Sequence, residues 1–162
     1  MGSNEAGRRG SAESEAEGGG AGGSEVEGTP SAPPPSGSAT HGELRDAGVR
    51  AMRAALPGVF PEGDLDLRDG LFGDELVEIG LTSVWGSLWA REGLSGRDRS
   101  LVTLGILIAL GAEAELRTHV RIALTNGLTR DEIAEVVYHA GGYAGFPAAT
   151  AARTAAREAL GE

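Results

Sequence analysis

Residues 113–127 read EAELRTHVRIALTNG. Stepped at about 100° per residue, Ile122, Glu115, His119, Ala123, Leu116, Val120 and Leu124 share one arc of a helix, with Arg117, Arg121, Thr118 and Thr125 opposite. The stretch is therefore expected to form an amphipathic helix whose apolar face is interrupted by an acid and an imidazole. Glu115 and His119 are four residues apart, the spacing at which two helical side chains meet.

The same punctuation continues on both sides. Asn126-Gly127 reads as a helix end, and Thr129 with Glu132 forms a capping-box spacing ahead of a face made of Ile133, Val136, Val137 and Ala140. GGYAGFPAATAARTAAREAL is expected to break at Gly141-Gly142 and restart around Pro147. Upstream, Ser95 and Asp98 open a segment apolar nearly all round from Leu101 to Leu110, expected to be the buried centre. In LTSVWGSLWAREG, Leu81, Val84, Trp85, Leu88 and Trp89 make a helical stripe before Gly93. A short helix near Asp74–Ile79 and a first helix over Glu43–Leu56, closed by Pro57-Gly58, complete the series. Helix signals with almost no strand signals predict an all-α fold, a compact bundle of about six helices.

Residues 1–40 differ in kind. They are built from Gly, Ser, Glu, Ala and Pro with one isolated Val, which reads as a disordered tail, so the folded domain is expected over 41–162. Net charge is −10, which argues against a nucleic-acid partner. MGSNEAGRRGSAES has no apolar signal core, and the longest apolar run, Leu101–Ala112, is too short to span a bilayer. A cytoplasmic protein with no membrane partner is the expectation.

Two residue types are missing from the sequence. With no cysteine, thiolate nucleophiles and Cys-ligated metals are excluded, and since all fourteen basic residues are Arg, a lysine Schiff base is excluded too. Chemistry is left to carboxylates, imidazoles, hydroxyls and guanidinium groups. No third ligand stands at metal-site spacing from Glu115 and His119, so no metal is expected.

If buried, Glu115 and His119 would titrate near neutrality, because desolvation and mutual attraction pull each group in opposite directions. An internal ion pair that only fixes packing fits the same spacing. Trp85 and Trp89 read as core, an interface or a ligand platform. His139 sits beside Glu135 and Glu132 at a polar border. Arg91, Arg97 and Arg99 cluster around REGLSGRDRS, either as solvated charge or as a carboxylate clamp, and Tyr143 can offer a hydroxyl to a pocket or fill it.

The pieces WGSLWAREGL, RDRSLVTL, ELRTHVRIALTNGLTRDEI and YAGFPAA, in this order over roughly residues 80–160, resemble the gamma-carboxymuconolactone decarboxylase family. The resemblance implies an all-α fold of the alkyl hydroperoxidase D group, assembled as a homo-oligomer, a hexamer or a trimer. It also implies a carboxy-lyase needing no cofactor. Its substrate would be a small carboxylated lactone, 4-carboxymuconolactone, converted to 3-oxoadipate enol-lactone in the β-ketoadipate route of aromatic catabolism from protocatechuate. The lactone is its own electron sink.

On that basis His119 is expected to transfer the proton, with Glu115 orienting it. Arg99, with Arg91 or Arg97, is expected to hold the second carboxylate, while Trp85, Trp89 and Tyr143 line the cavity and His139 stands as a further substrate-binding candidate. Peroxidases of the same fold group use a Cys-x-x-Cys pair, which this chain lacks. The alternatives are a decarboxylase, isomerase or cyclase for a specialised metabolite, and a non-catalytic oligomeric binding protein.

Overall fold

Thr40 sets the start of the first helix. Its hydroxyl accepts the Glu43 N–H at 3.3 Å while the Glu43 carboxylate accepts the Thr40 N–H at 2.7 Å, which satisfies two donors that the helix end leaves free. The computed structural model describes residues 38–162. Of the tail expected over 1–40, all but Ser38–Thr40 lies outside them.

The chain forms α1 (His41–Ala55), α2 (Glu75–Gly80) running directly into a π-helical segment (Leu81–Trp89), then α3 (Gly96–Leu110), α4 (Glu113–Thr125), α5 (Arg130–Ala144) and α6 (Phe146–Leu160). There is no strand among the described residues. The fold is all-α.

Two cores form. In the first, α4 packs on α3 and α6, and α5 packs on α3 and α6, around Leu104, Ile108, Leu116, Val120, Ala123, Ile133 and the alanines of α6. In the second, α1 lies along the π-helical segment over Val49, Met52, Leu65 and Leu81. Glycine permits that crossing. A Cβ on Gly48 would run into the Leu81 carbonyl oxygen and one on Gly86 into the Leu44 carbonyl oxygen, so the two backbones touch only because both positions lack one.

Sequence periodicity differs from the structure at three places. Leu81–Trp89 winds as a π-helix rather than an α-helix, with the Ala90 N–H bonded to the Trp85 carbonyl at 3.0 Å. Hydroxyls compete for the local carbonyls: Thr82 donates to Glu78 and Ile79, Ser83 to Ile79 and Ser87 to Thr82. The wider turn buries Leu81, Thr82 and Gly86 and leaves Val84 and Leu88 exposed.

Helix α5 runs through Gly141-Gly142 and ends at Gly145, whose φ of 90° is the left-handed conformation that suits glycine. Gly141 is buried inside the helix against Ala149 on α6, where a Cβ would meet the Ala149 Cβ at 3.5 Å, an ordinary contact. Helix α3, expected at the buried centre, buries only Ser100, Leu104 and Ile108. α4 and α5 cover its inner side, and Val102, Ile106 and Leu110 face outward.

Candidate functional site

His119 lies on α4 between Leu116 and Val120, both buried in the bundle core. Its imidazole is half-buried, and its Nδ1 is buried without a hydrogen-bond partner. Trp89, the last residue of the π-helical segment, covers the ring, with centroids 5.9 Å apart and planes inclined by 28°. Trp85 backs Trp89 at 5.1 Å. The two tryptophans, four apart on the π-helical segment, meet with their planes tilted by 32°.

Burial pushes the His119 imidazole below its ordinary value of 6.5, and the Glu115 carboxylate, one turn earlier, pulls the other way. Desolvation is the larger effect. Glu115 itself is exposed, a departure from the buried face on which sequence spacing sets it. It sits in the first turn of α4, where a carboxylate complements the helix dipole.

The three arginines separate. Arg99 is half-buried, donates from Nη2 to the Arg91 carbonyl at 2.8 Å, and keeps a buried Nε with no partner. Arg91 follows Trp89 by two residues, so Arg99 reaches the strip of backbone that carries the His119 platform. The Arg91 side chain is exposed. Arg97 points to the other side of α3 and is ion-paired with Glu132. That glutamate also accepts the Thr129 N–H at 2.9 Å in the α5 capping box, and these bonds hold its carboxyl below the usual range.

Arg97 therefore belongs with His139 and Tyr143. All three line a cavity of about 890 Å³ between α3 and α5, with Glu132 and Glu135 at its rim and Leu101, Gly105, Ala109, Val136 and Ala140 in its walls. His139 and Tyr143 are exposed, with ring centroids 4.9 Å apart. The residues expected to share one cavity thus form two groups: Glu115, His119, Trp85, Trp89, Arg91 and Arg99 on one side, Arg97, His139 and Tyr143 on the other.

Sequence reasoning gave Asn126 only as a helix end. Its side-chain amide donates to the Gly96 carbonyl at 3.2 Å and to the buried Ser100 hydroxyl at 3.0 Å, tying the end of α4 to the start of α3 next to Arg99. The available signal was a Ser at the head of the apolar run of α3, which needs a partner from another element when buried.

The segment that holds these groups has relatives. The carboxymuconolactone decarboxylase family matches residues 77–158, half of the chain, from the middle of α2 to near the end of α6. The chain belongs to that family. Over 74 residues it is 50% identical to 4-carboxymuconolactone decarboxylase of Acinetobacter baylyi, covering 46% of this chain and 55% of that one. Over 109 residues it is 38% identical to a nitrosuccinic acid decarboxylase of Metarhizium robertsii, covering 66% and 74%. An uncharacterised 15.0 kDa protein of Paracoccus denitrificans is 39% identical over 75 residues, 44% and 56% of the two chains. The chain spans about half the length of the first and third of these relatives. Among the described residues no helix is long and apolar enough to cross a membrane.

Proposed function

We propose that this chain is a carboxy-lyase that removes carbon dioxide from a small diacid carrying its own electron sink, with no cofactor, and that 4-carboxymuconolactone is its substrate in the breakdown of aromatic acids. The observation that carries this reading is His119: an imidazole under Trp89, with a buried, unpartnered Nδ1 and a carboxylate one turn away. Burial and the nearby carboxylate act on that imidazole in opposite senses, the setting in which a histidine can give up and regain a proton.

In the reaction the bond from the γ-carbon to its carboxylate breaks and CO₂ leaves. The electron pair moves through the conjugated ring to the lactone carbonyl, and a proton is then added at the α-carbon. His119 supplies that proton and recovers it from solvent, while Glu115 balances the imidazolium. Arg99 is the anchor for the second carboxylate, because its Nε is free and the Arg97 guanidinium is already neutralised by Glu132. Trp85 and Trp89 exclude water from one side of the imidazole.

The relative named for nitrosuccinic acid favours a second substrate, since its similarity extends over more of this chain. The chemistry is parallel. An α-nitro group accepts the electron pair as a nitronate, one carboxylate leaves, and the other remains for an arginine to hold.

Purified protein incubated with 4-carboxymuconolactone, and separately with nitrosuccinate, tests both. Loss of substrate with one equivalent of CO₂ is expected for one of them and should vanish in His119→Gln. A folded protein that releases CO₂ from neither would overturn the proposal.

A further inference from the structure

The Asn126 amide, bonded to the Gly96 carbonyl and the Ser100 hydroxyl, ties the end of α4 to the start of α3. Only Gly111 and Ala112 separate the two helices at their other ends, so they run antiparallel, side by side. That tie sets which residues stand level. Thr103 lies seven residues after Gly96, and His119 lies seven residues before Asn126. At 1.5 Å per residue, each is about 10 Å from the tie along its own helix.

Direction follows from the same count. Seven residues are nearly two full turns, which places His119 on the stripe of α4 that carries Asn126 and meets α3. On α3, steps of about 100° set Thr103 between Arg99, which turns to the Arg91 backbone, and Ser100, which turns to Asn126. Thr103 therefore faces the corner where the imidazole lies under Trp89.

Its hydroxyl is unoccupied. A helical threonine can turn its hydroxyl back onto the carbonyl one turn earlier, and Thr82, Thr125 and Thr154 do so. Thr103 is half-buried, makes no such bond and has no other hydrogen-bond partner among the described residues. The Arg99 Nε and the His119 Nδ1 are sealed from solvent, whereas the Thr103 oxygen is not. A group entering the corner can reach it.

The reaction has a matching need. Loss of CO₂ sends the electron pair to the lactone carbonyl oxygen, and the proton returns to the α-carbon, which is bonded to that same carbonyl carbon. The donor that stabilises the oxygen must therefore stand beside the acid that protonates the carbon. Arg99 is the anchor for the second carboxylate, and the Tyr143 hydroxyl lies with the other group, in the α3–α5 cavity.

We propose that Thr103 is a catalytic residue: its hydroxyl donates to the oxygen on which charge develops while His119 delivers the proton. The inference rests on the carboxy-lyase reading above. Thr103 keeps its own proton throughout, so it acts by hydrogen bonding alone. With nitrosuccinate the same hydroxyl serves a nitro oxygen of the forming nitronate. Because the bond to a charged oxygen is stronger than the bond to a neutral one, it lowers the barrier more than it tightens binding.

Steady-state CO₂ release by the full chain, from whichever of the two diacids the wild type consumes, tests this. Thr103→Val keeps the shape and removes the donor, so kcat should fall by about 10²-fold with KM nearly unchanged. Thr103→Ser restores a hydroxyl and should return kcat to within a few-fold of wild type. Thr103→Ala set against Thr103→Ser repeats the contrast should the valine variant not fold. A Thr103→Val or Thr103→Ala protein with near wild-type kcat, while His119→Gln is inactive, overturns the role of Thr103 and leaves the carboxy-lyase reading standing. So does a loss confined to KM, or an equal loss in Thr103→Ser, which would mark a packing role. A folded wild type that releases CO₂ from neither diacid overturns both.

Discussion

The imidazole of His119 lies 5.9 Å from the indole of Trp89, centroid to centroid, with the ring planes 28° apart. The histidine comes from the bundle and the tryptophan from the π-helical segment, so this contact joins the two cores of the protein at the candidate site. Replacing Trp89 by Leu opens the imidazole to water and should raise its pKa toward the ordinary 6.5, because desolvation is the larger cause of the depression. Trp89→Phe should keep most of the shift. Histidine NMR titration of the three proteins separates these outcomes, and no change in Trp89→Leu would show that the indole does not control the ring.

Glu115 acts on His119 in the opposite sense. Glu115→Gln removes the attraction that favours imidazolium and should lower the His119 pKa further. If the pair transfers the proton, His119→Gln and Glu115→Gln should reduce turnover by about 10²-fold or more. Rates within a few-fold of wild type, measured by CO₂ release, would remove the pair from the mechanism.

Stability should depend on pH through the same histidine. A folded pKa below the unfolded value means that the unfolded chain binds more protons between the two, so the stabilisation is complete above about 6.5 and is lost as pH falls toward the folded pKa. Thermal unfolding between pH 5 and pH 8 should therefore show a steeper acid decline for wild type than for His119→Gln. Parallel curves would place the dependence elsewhere.

Asn126→Ala leaves the Ser100 hydroxyl buried without its partner and should cost about 1–3 kcal/mol in denaturant unfolding. Ser100→Ala in the same background should recover part of that loss, since no polar atom is then stranded. A double variant as unstable as the sum of the singles would contradict this account.

Gly86→Ala sets a methyl against the Leu44 carbonyl oxygen and should destabilise the α1 layer by at least about 1–3 kcal/mol. The same substitution at Gly105 meets nothing within the chain and should leave its unfolding unharmed. Chemical denaturation of the two variants gives the comparison.

The sequence by itself determined that the folded chain is helical and where most of its helices begin. Ser95 and Thr129 as caps, and Gly111 and Asn126 as stops, act through bonds within one turn of the chain, so their outcome can be read locally. Family membership is equally a property of the order of motifs.

Tertiary structure alone decided which residues meet. Arg97 and Arg99 are two residues apart, yet one pairs with Glu132 on α5 and the other with the Arg91 backbone, because successive helical positions point about 100° apart and the neighbours of α3 differ on each side. The π-helical turn depended on hydroxyls competing for carbonyls and on the Gly48–Gly86 crossing, neither of which alters hydrophobic period. The half-burial of His119 under Trp89 and the exposure of Glu115 were likewise settled by packing, which the spacing of the pair does not contain.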